Sequence, residues 1–233
     1  MSFMDRSEAG KKLAVALKQY EGKNPVVLAL PRGGVPVAAE VAAALHAPLG
    51  LVLVRKIGVP MRPELAMGAV VDGAAPVVVR NEDIIRYAAI DDAEFKRICD
   101  LELAEIERRR RRYLGDRPPI DVKDRVTIII DDGIATGATT RAALRATRMR
   151  APNLLVLAVP VASTEALAEI GKEADDVICL EEHEFLGAIG FYYSDFRQIS
   201  DEEVIEAIAR GSSDAKVGKG TPRRRTGERG RQH

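Results

Sequence analysis

The sequence is poor in the residues that build disulfide frameworks, zinc sites and membrane spans. Its 233 residues include two cysteines, three histidines and no tryptophan, and neither cysteine lies in a CxxC pair. So few cysteines exclude a disulfide scaffold and favour a reducing cytosol, and the scattered histidines lack the spacing of zinc ligands. The amino-terminal segment lacks a signal-peptide core, and no apolar run approaches the roughly 18 residues of a membrane helix. We therefore predict a soluble cytoplasmic protein with no membrane partner.

Charge is balanced over the whole chain but not along it. Lysine and arginine number 35, as do aspartate and glutamate, so the net charge of zero argues against nucleic-acid binding by the whole protein. Residues 211–233 carry seven basic and two acidic side chains, which gives this tail +5 and the remainder −5. The tail has almost no apolar residues, so we predict that it is disordered. The arginine run 108–112 follows several glutamates, which favours a solvated or subunit-facing surface. The tail is therefore the one region for which weak nucleic-acid binding stays open.

Apolar runs rich in β-branched residues alternate with helical patterns along the chain. Strands are predicted at 25–30, 49–57, 125–131, 153–161 and 176–180, a hairpin at 68–80, and helices at 3–20, 34–45, 91–113, 138–149, 163–171 and 201–209. Continuous apolar strands are typical of parallel sheets covered on both faces. The alternation predicts an α/β domain with a mostly parallel central sheet flanked by helices. We place this domain at residues 1–210.

The strongest functional signal is the segment IIIDDGIATGATTRAALRA, residues 128–146. Asp131 and Asp132 follow a buried strand, and a loop of small and hydroxylated residues then leads into a helix. Such a loop offers free backbone N–H groups and the positive end of a helix dipole, which together bind phosphate. Two carboxylates would repel that phosphate unless they bind sugar hydroxyls or a hydrated Mg²⁺. The pattern therefore predicts a sugar-phosphate site at the carboxyl edge of the sheet.

Other interpretations of this segment are weaker. An ordinary polar turn that only caps the helix is possible in principle, but it does not explain two acids directly behind four β-branched residues. A Walker A loop is excluded because the chain has no GxxxxGK[ST], and GIATGA lacks the GxGxxG spacing of a dinucleotide-binding turn.

The segment VTIIIDDGIATGATT closely resembles the phosphoribosyl pyrophosphate (PRPP) motif of type I phosphoribosyltransferases. Overall, the chain is similar to the uncharacterised bacterial branch of that family, whose acceptor is not established. The resemblance implies that Asp131 and Asp132 hold the ribose 2′- and 3′-hydroxyls and serve as the metal-binding carboxylates. It also implies that the 5′-phosphate is wrapped by a run of five small residues, Ala135, Thr136, Gly137, Ala138 and Thr139.

A second loop supports the same resemblance. LALPRGGVPVAAEVA (28–42) is similar to the family's pyrophosphate loop, between the first strand and its helix. Gly33 and Gly34 permit a turn without side chains, so that backbone amides face the ligand, and Arg32 supplies positive charge. Alone, this motif could equally be a strand-to-helix turn with an exposed arginine. Its predicted position at the same sheet edge as 131–139 favours PRPP binding.

VLVRKIG (52–58) resembles the start of the family's mobile loop, which closes over PRPP. Arg55 and Lys56 are expected at a strand end, where they would offset the charge of departing pyrophosphate. A solvated strand end is the alternative. Glu64, the only carboxylate nearby, is a candidate for proton handling or for bridging a metal.

Residues 181–200, with part of the amino-terminal helix, are expected to form the small hood subdomain that selects the acceptor. The segment AIGFYYSDFRQI has a weak likeness to 6-oxopurine enzymes, which suggests Phe191, Tyr192 or Tyr193 for stacking on the acceptor, with core packing as the alternative. Those enzymes place a lysine in this stretch, whereas this chain has acidic residues and a histidine at 181–184. A purine acceptor is therefore not implied.

The resemblance implies transfer of the phosphoribosyl group of PRPP to a nitrogen acceptor, a nucleobase or related heterocycle, with Mg²⁺ and release of pyrophosphate. It also implies a homodimer. The alternative function is a PRPP-sensing regulator without turnover that binds nucleic acid or a protein, with the basic tail as its contact.

Overall fold

The structure, a computed structural model, describes residues 2–73 and 76–217. Its strands are β1 (Val26–Ala29), β2 (Leu49–Leu51), β3 (Val54–Val59), β4 (Arg62–Val71), β5 (Val77–Arg80), β6 (Val126–Ile130), β7 (Leu154–Ser163) and β8 (Asp176–His183). Its α-helices are α1 (Arg6–Ala16), α2 (Gly34–Ala44), α3 (Glu82–Tyr87), α4 (Asp92–Leu114), α5 (Ala138–Arg148), α6 (Thr164–Ile170) and α7 (Asp201–Val217). The predicted α/β class is therefore correct.

Five strands form a parallel central sheet in the order β2-β1-β6-β7-β8. Side chains of β6 alternate between its two faces: Ile128 and Ile130 enter one core and Ile129 enters the other. Helices α1, α2 and α7 cover the first face, and α5 and α6 cover the second. Both faces of the sheet are thus buried, which explains the uninterrupted apolar strands in the sequence.

A small antiparallel sheet, β3-β4-β5, lies beside the parallel one. The sequence predicts one strand over 49–57, but the structure divides this run between the two sheets. The division falls at Val52 and Leu53, since the Val52 amide still bonds to β1 at Ala29, whereas the Leu53 carbonyl accepts the Asp72 amide beyond β4. The mobile loop that VLVRKIG (52–58) is expected to open is a β-hairpin of β3 and β4, whose register is irregular at Gly58.

Helix α7 is longer than the sequence predicts. The sequence places the boundary between domain and tail at Gly211, yet the helix continues to Val217. A Cβ at Gly211 would lie 2.9 Å from that of Leu49, so this glycine is a site of close packing on β2 rather than a helix stop. The remainder of the predicted tail, 218–233, lies outside the described residues.

The segment 181–200 packs on the amino terminus beyond the ends of β7 and β8. Strand β8 extends to His183, and a single 3₁₀ turn covers Ile189–Tyr192. Phe3 pairs with Tyr193 in an isolated bridge and shares a separate small core with it. This cluster lies beside the carboxyl edge of the parallel sheet and contains the segment that the sequence predicts to form the hood.

Candidate active site

Two loops meet at the carboxyl edge of the central sheet. The Leu30 amide donates to the Ile130 carbonyl oxygen at 2.9 Å, which aligns the end of β1 with the end of β6. A Cβ on Gly34 would lie 2.7 Å from that oxygen, and one on Gly33 would lie 2.1 Å from a carboxylate oxygen of Asp132. Glycine at both positions therefore allows the two predicted ligand loops to touch.

The loop after β6 ends in an anion-binding geometry. Gly137 has a φ of +70°, and a Cβ there would lie 1.8 Å from the Ile170 side chain, so only glycine fits. Helix α5 begins at the next residue without a side-chain cap. Its first-turn N–H groups and the exposed hydroxyls of Thr136 and Thr139 therefore remain available to a phosphate.

Strand β7 holds this loop from behind. The buried Ile134 donates its amide to the Val161 carbonyl oxygen at 3.0 Å, and the Ser163 hydroxyl donates to the Ala135 carbonyl oxygen at 2.9 Å. Ala135 and Ala138 are themselves exposed. The backbone is thus fixed by buried partners while its small side chains leave the ligand side open.

The two adjacent acids have different surroundings. The Arg6 Nε donates to an Asp132 carboxylate oxygen at 2.7 Å, and the Tyr193 hydroxyl donates to the Asp132 carbonyl oxygen at 2.6 Å. The Asp131 carboxylate accepts the Asp132 amide at 2.9 Å. Burial, and then the negative charge of Asp132, raise the pKa of Asp131 well above its ordinary value.

The three aromatic residues proposed for acceptor stacking differ in exposure. Tyr193 is 2% exposed and packs against Phe3, so its ring has no free face, and its assignment as an acceptor platform is wrong. Tyr192 lies against the His183 ring, with centroids 4.5 Å apart. Phe191 is 72% exposed. Only Phe191 and Tyr192 remain candidates for contact with an acceptor.

Arg32 of the first loop is tied to the start of α7. Its guanidinium lies 3.7 Å from a carboxylate oxygen of Asp201. Asp201 also accepts the Tyr113 hydroxyl at 2.7 Å and pairs with Arg112 at 2.8 Å. The Tyr113 hydrogen bond and these arginines lower the pKa of Asp201. Arg32 is partly exposed, so its charge is available at the rim of the site.

Arg55 and Lys56, expected to act together, point in opposite directions. They are neighbours on β3, where successive side chains alternate between faces. Arg55 donates to Glu102 of α4 at 2.6 Å. Lys56 instead lines a cavity of about 570 Å³ between the hairpin and the start of α5, together with Thr136 and Thr139. Of the two cations, the structure therefore brings only Lys56 to the candidate phosphate-binding loop.

Glu64 lies on the same hairpin and is almost fully solvated. Its side chain is 98% exposed, and its carboxylate lies 3.5 Å from the Lys56 ammonium group. Lys56 also donates to the Glu64 backbone carbonyl at 3.3 Å. Glu64 therefore contacts a candidate site residue without reaching the acid pair in this conformation.

The residues that could bind a metal are the two acids after β6. Within the described part of the chain, no group of three or more His, Cys, Asp or Glu side chains is arranged for a metal ion. Mg²⁺ commonly binds through one or two carboxylates, with waters and substrate phosphates completing its shell. Asp131 and Asp132 fit such a substrate-dependent metal and do not form a complete cage.

The arginine run on α4 is paired within the molecule. Arg108 and Arg109 bind Glu105, Arg110 and Arg111 bind Glu107, and Arg112 binds Asp201 and Glu202. The run thus forms a salt-bridged surface, consistent with the solvated interpretation.

Sequence reasoning missed two residues of the site, Arg6 and Asp201. Arg6 is separated from its partner Asp132 by 126 positions, and no spacing rule relates them. The only available signal was Arg6 itself, an arginine that starts an otherwise apolar helical face. Asp201 resembles any acidic residue in the first turn of a helix.

Comparisons with known proteins agree with this geometry. Residues 6–195 match the model of the phosphoribosyl transferase domain family. The chain is 44% identical, over 91% of its length, to proteins of two Mycobacterium tuberculosis strains, each named "putative phosphoribosyl transferase". It spans only 47% of the length of these relatives. A crystal structure of a Thermus thermophilus protein is 40% identical and covers 90% of this chain and 99% of that one, with a TM-score of 0.79.

The fold and the two ligand loops define a phosphoribosyltransferase-type α/β domain. The chain belongs to the phosphoribosyl transferase domain family. Among residues 2–73 and 76–217, no helix has both the length and the apolarity needed to cross a bilayer.

Proposed function

We propose that this protein is a Mg²⁺-dependent phosphoribosyltransferase that transfers the phosphoribosyl group of PRPP to a ring nitrogen of a nucleobase or related heterocycle. The observation that carries the proposal is the contact between the Gly33–Gly34 turn and the acid pair. That contact puts the backbone amide of Gly33 and the amides of the 135–139 loop beside two carboxylates, which suits a ligand with two phosphate groups joined by a sugar.

In this proposal, each loop binds one part of PRPP. The amides and hydroxyls from Ala135 to Thr139 bind the 5′-phosphate, and Asp131 with Asp132 holds the ribose hydroxyls. Arg32 and the amide of Gly33 bind the pyrophosphate. The Gly34 amide donates to the Leu30 carbonyl oxygen at 3.0 Å, so Gly34 contributes by letting the turn approach β6. Mg²⁺, when bound, would neutralise pyrophosphate charge, and Asp131 and Asp132 are the residues that would hold it.

The reaction would form a bond from the acceptor nitrogen to C1 of the ribose and break the bond from C1 to the pyrophosphate oxygen. Pyrophosphate leaves with that electron pair, so charge on the leaving group rises in the transition state. Lys56, facing the cavity, is placed to offset it if the hairpin moves inward. Arg55, bound to Glu102, holds the hairpin on α4, and Glu64 orients the Lys56 ammonium group.

The acceptor would lie under the hood, against Phe191 or Tyr192. The exposed ring of Phe191 can contribute a large apolar area to a planar ligand. The acidic residues at 181–184 are a poor match for the oxo groups of a purine, so we place non-purine heterocycles beside nucleobases in the set to be tested. Homodimer formation and a cytoplasmic location remain predictions.

The test is a screen of pyrophosphate release from PRPP and Mg²⁺ against nucleobases and other nitrogen heterocycles. Calorimetric titration with PRPP accompanies it. We expect PRPP binding in every case and pyrophosphate release with at least one acceptor class. PRPP binding without release from any acceptor would support a sensing regulator, and failure to bind PRPP would contradict both functions.

A further inference from the structure

One arginine of the amino-terminal helix is buried at the acid pair. Arg6, the first residue of α1, is 8% exposed. Its Nε donates to an Asp132 carboxylate oxygen at 2.7 Å, and one terminal nitrogen donates to the Arg197 carbonyl oxygen at 3.0 Å. The guanidinium carbon lies 3.8 Å from the centroid of the Phe196 ring. Two segments distant in sequence, the loop at Asp132 and the segment at 196–197, therefore converge on this one side chain.

Both the carboxylate and the backbone carbonyl of Asp132 have partners among the described residues. Its carboxylate lies between Arg6 and the Gly33 turn, where a Cβ would be only 2.1 Å away. Its carbonyl oxygen accepts the buried Tyr193 hydroxyl. No described Lys, Arg or His side chain lies within ion-pair distance of Asp131. The two acids thus share a sequence motif but not an environment.

We propose that Arg6 is a positioning residue that gives the two acids different roles in PRPP binding. Arg6 fixes Asp132 as an anchor that joins the hood to the pyrophosphate loop, and it leaves Asp131 as the carboxylate that meets the ribose. The inference rests on the proposed function, because it concerns how PRPP is bound. It assigns to the amino-terminal helix a part of the site that lies outside both loop motifs.

The chemistry of arginine explains why this position needs it. A buried ion pair stabilises a structure only when its geometry and remaining hydrogen bonds are good. The planar guanidinium meets a carboxylate on one edge and a carbonyl on another, and its face stacks on Phe196. A lysine could pair with Asp132 but could not make all three contacts. Without Arg6, adjacent carboxylates would repel each other, and Asp132 would be free to move away from Gly33.

The test is a double-mutant cycle read by calorimetric titration with PRPP in MgCl₂, well below the unfolding temperature of every variant. Loss of one buried, charged hydrogen bond should weaken PRPP binding by roughly 10-fold or more in Arg6→Gln and in Asp132→Asn. Because Arg6 acts through Asp132, the double variant should bind no worse than the weaker single variant. Combining Arg6→Gln with Asp131→Asn should instead multiply the two losses.

Two further variants separate positioning from general destabilisation. Lys12→Gln is the matched control, since Lys12 is on the same helix and its ion pair and ring contact are with Glu8 and Phe3 instead of Asp132, and it should bind PRPP normally. Arg6→Lys keeps the charge, so it should recover part of the affinity lost in Arg6→Gln. It also serves as the test variant if Arg6→Gln does not fold.

Three results would overturn the inference. The first is unchanged PRPP affinity in both Arg6 variants, which would leave the proposed function intact. The second is multiplication of the losses from Arg6→Gln and Asp132→Asn, which would mean that Arg6 acts independently of Asp132. The third is failure of the unaltered protein to bind PRPP, which would remove the proposed function as well and is visible before any variant is made.

Discussion

The loop after β6 and the β3–β4 hairpin line the same cavity but are held in different ways. The loop from 131 to 137 is fixed by buried backbone hydrogen bonds to β7 and by the Arg6–Asp132 ion pair. The turn of the hairpin is exposed, with Met61 98% exposed, and Lys56 is held by a solvated pair with Glu64. Buried anchoring suits a preformed binding site, whereas exposed ion pairs of this kind contribute little to stability.

This difference indicates how binding and turnover are divided in the proposed enzyme. Groups on the edge loops are in place before the ligand arrives, so they should determine PRPP affinity. Groups on the hairpin can change position at low cost, so they should contribute mainly when the leaving group gains charge. The predictions below separate these two contributions.

The largest expected effect is on turnover in Lys56→Ala. Removal of one charge contact to the leaving group should lower the rate of pyrophosphate release by about 30- to 1,000-fold. The loss in PRPP affinity should be much smaller, because Lys56 lies outside the preformed loops. Steady-state kinetics with an acceptor from the screen, beside PRPP titration, measures both. Arg55→Ala is the comparison variant, and an equal rate loss in it would contradict the separation of the two cations.

Gly33→Ala should disturb the edge loops through a single methyl group. Its Cβ would lie 2.1 Å from the Asp132 carboxylate, so that side chain or the turn must move. Overpacking of this kind costs about 1–3 kcal/mol, and each kcal/mol lowers Tm by roughly 2–4 °C in a domain of this size. PRPP affinity should fall together with Tm. Gly171→Ala is the matched control, since the nearest atom to its Cβ is 3.7 Å away, and both quantities should stay unchanged.

The acids of the edge loop should have opposite effects on stability. Asp131→Asn should raise Tm at pH 7, because burial and the Asp132 charge oppose ionisation of Asp131, whereas Asp132→Asn should lower Tm by breaking the pair with Arg6. A carboxyl group with a raised pKa in the folded protein costs stability progressively as pH rises above its unfolded pKa. The gain in Asp131→Asn should therefore shrink as the pH is lowered toward that unfolded pKa, about 4. Thermal melts at pH 7 and near the unfolded pKa test this. Equal Tm changes in Asp131→Asn and Asp132→Asn would refute the difference between the two acids.

The smallest effect is expected for Glu64→Gln. The side chain is 98% exposed, so replacing its carboxylate by an amide should change the free energy of unfolding by less than about 0.5 kcal/mol. Loss of its contact with Lys56 should change turnover only slightly. A loss comparable to that of Lys56→Ala would show that Glu64 handles a proton or a metal during the reaction.

The parallel part of the fold was predictable because its physical signal is local. Strand β6 is an unbroken β-branched run, and Gly137 and the threonines beside it mark the helix start, so the candidate phosphate loop could be located from residues 125–139 alone. The boundary between β2 and β3 was not predictable in this way. Both strands are apolar, and only long-range pairing with β1 and β4 decides which sheet each one joins.

The remaining errors also come from contacts across the chain. Tyr193 has the same sequence neighbourhood as Phe191, but the bridge to Phe3 buries it. Arg6 acquires its role only when α1 packs beside the acid pair. The opposite orientations of Arg55 and Lys56 follow from strand alternation, which becomes visible once the predicted loop is known to be a hairpin.

The paired arginines of α4 affect how the protein should respond to polyanions. A cationic helix gains affinity for nucleic acid largely by releasing the counterions condensed along the phosphates. On α4, the five arginines from 108 to 112 already face Glu105, Glu107, Asp201 and Glu202. A phosphate backbone would have to displace these carboxylates, which cancels much of the entropic gain. This face should therefore show a shallow dependence of binding on salt concentration, despite the most basic run among the described residues.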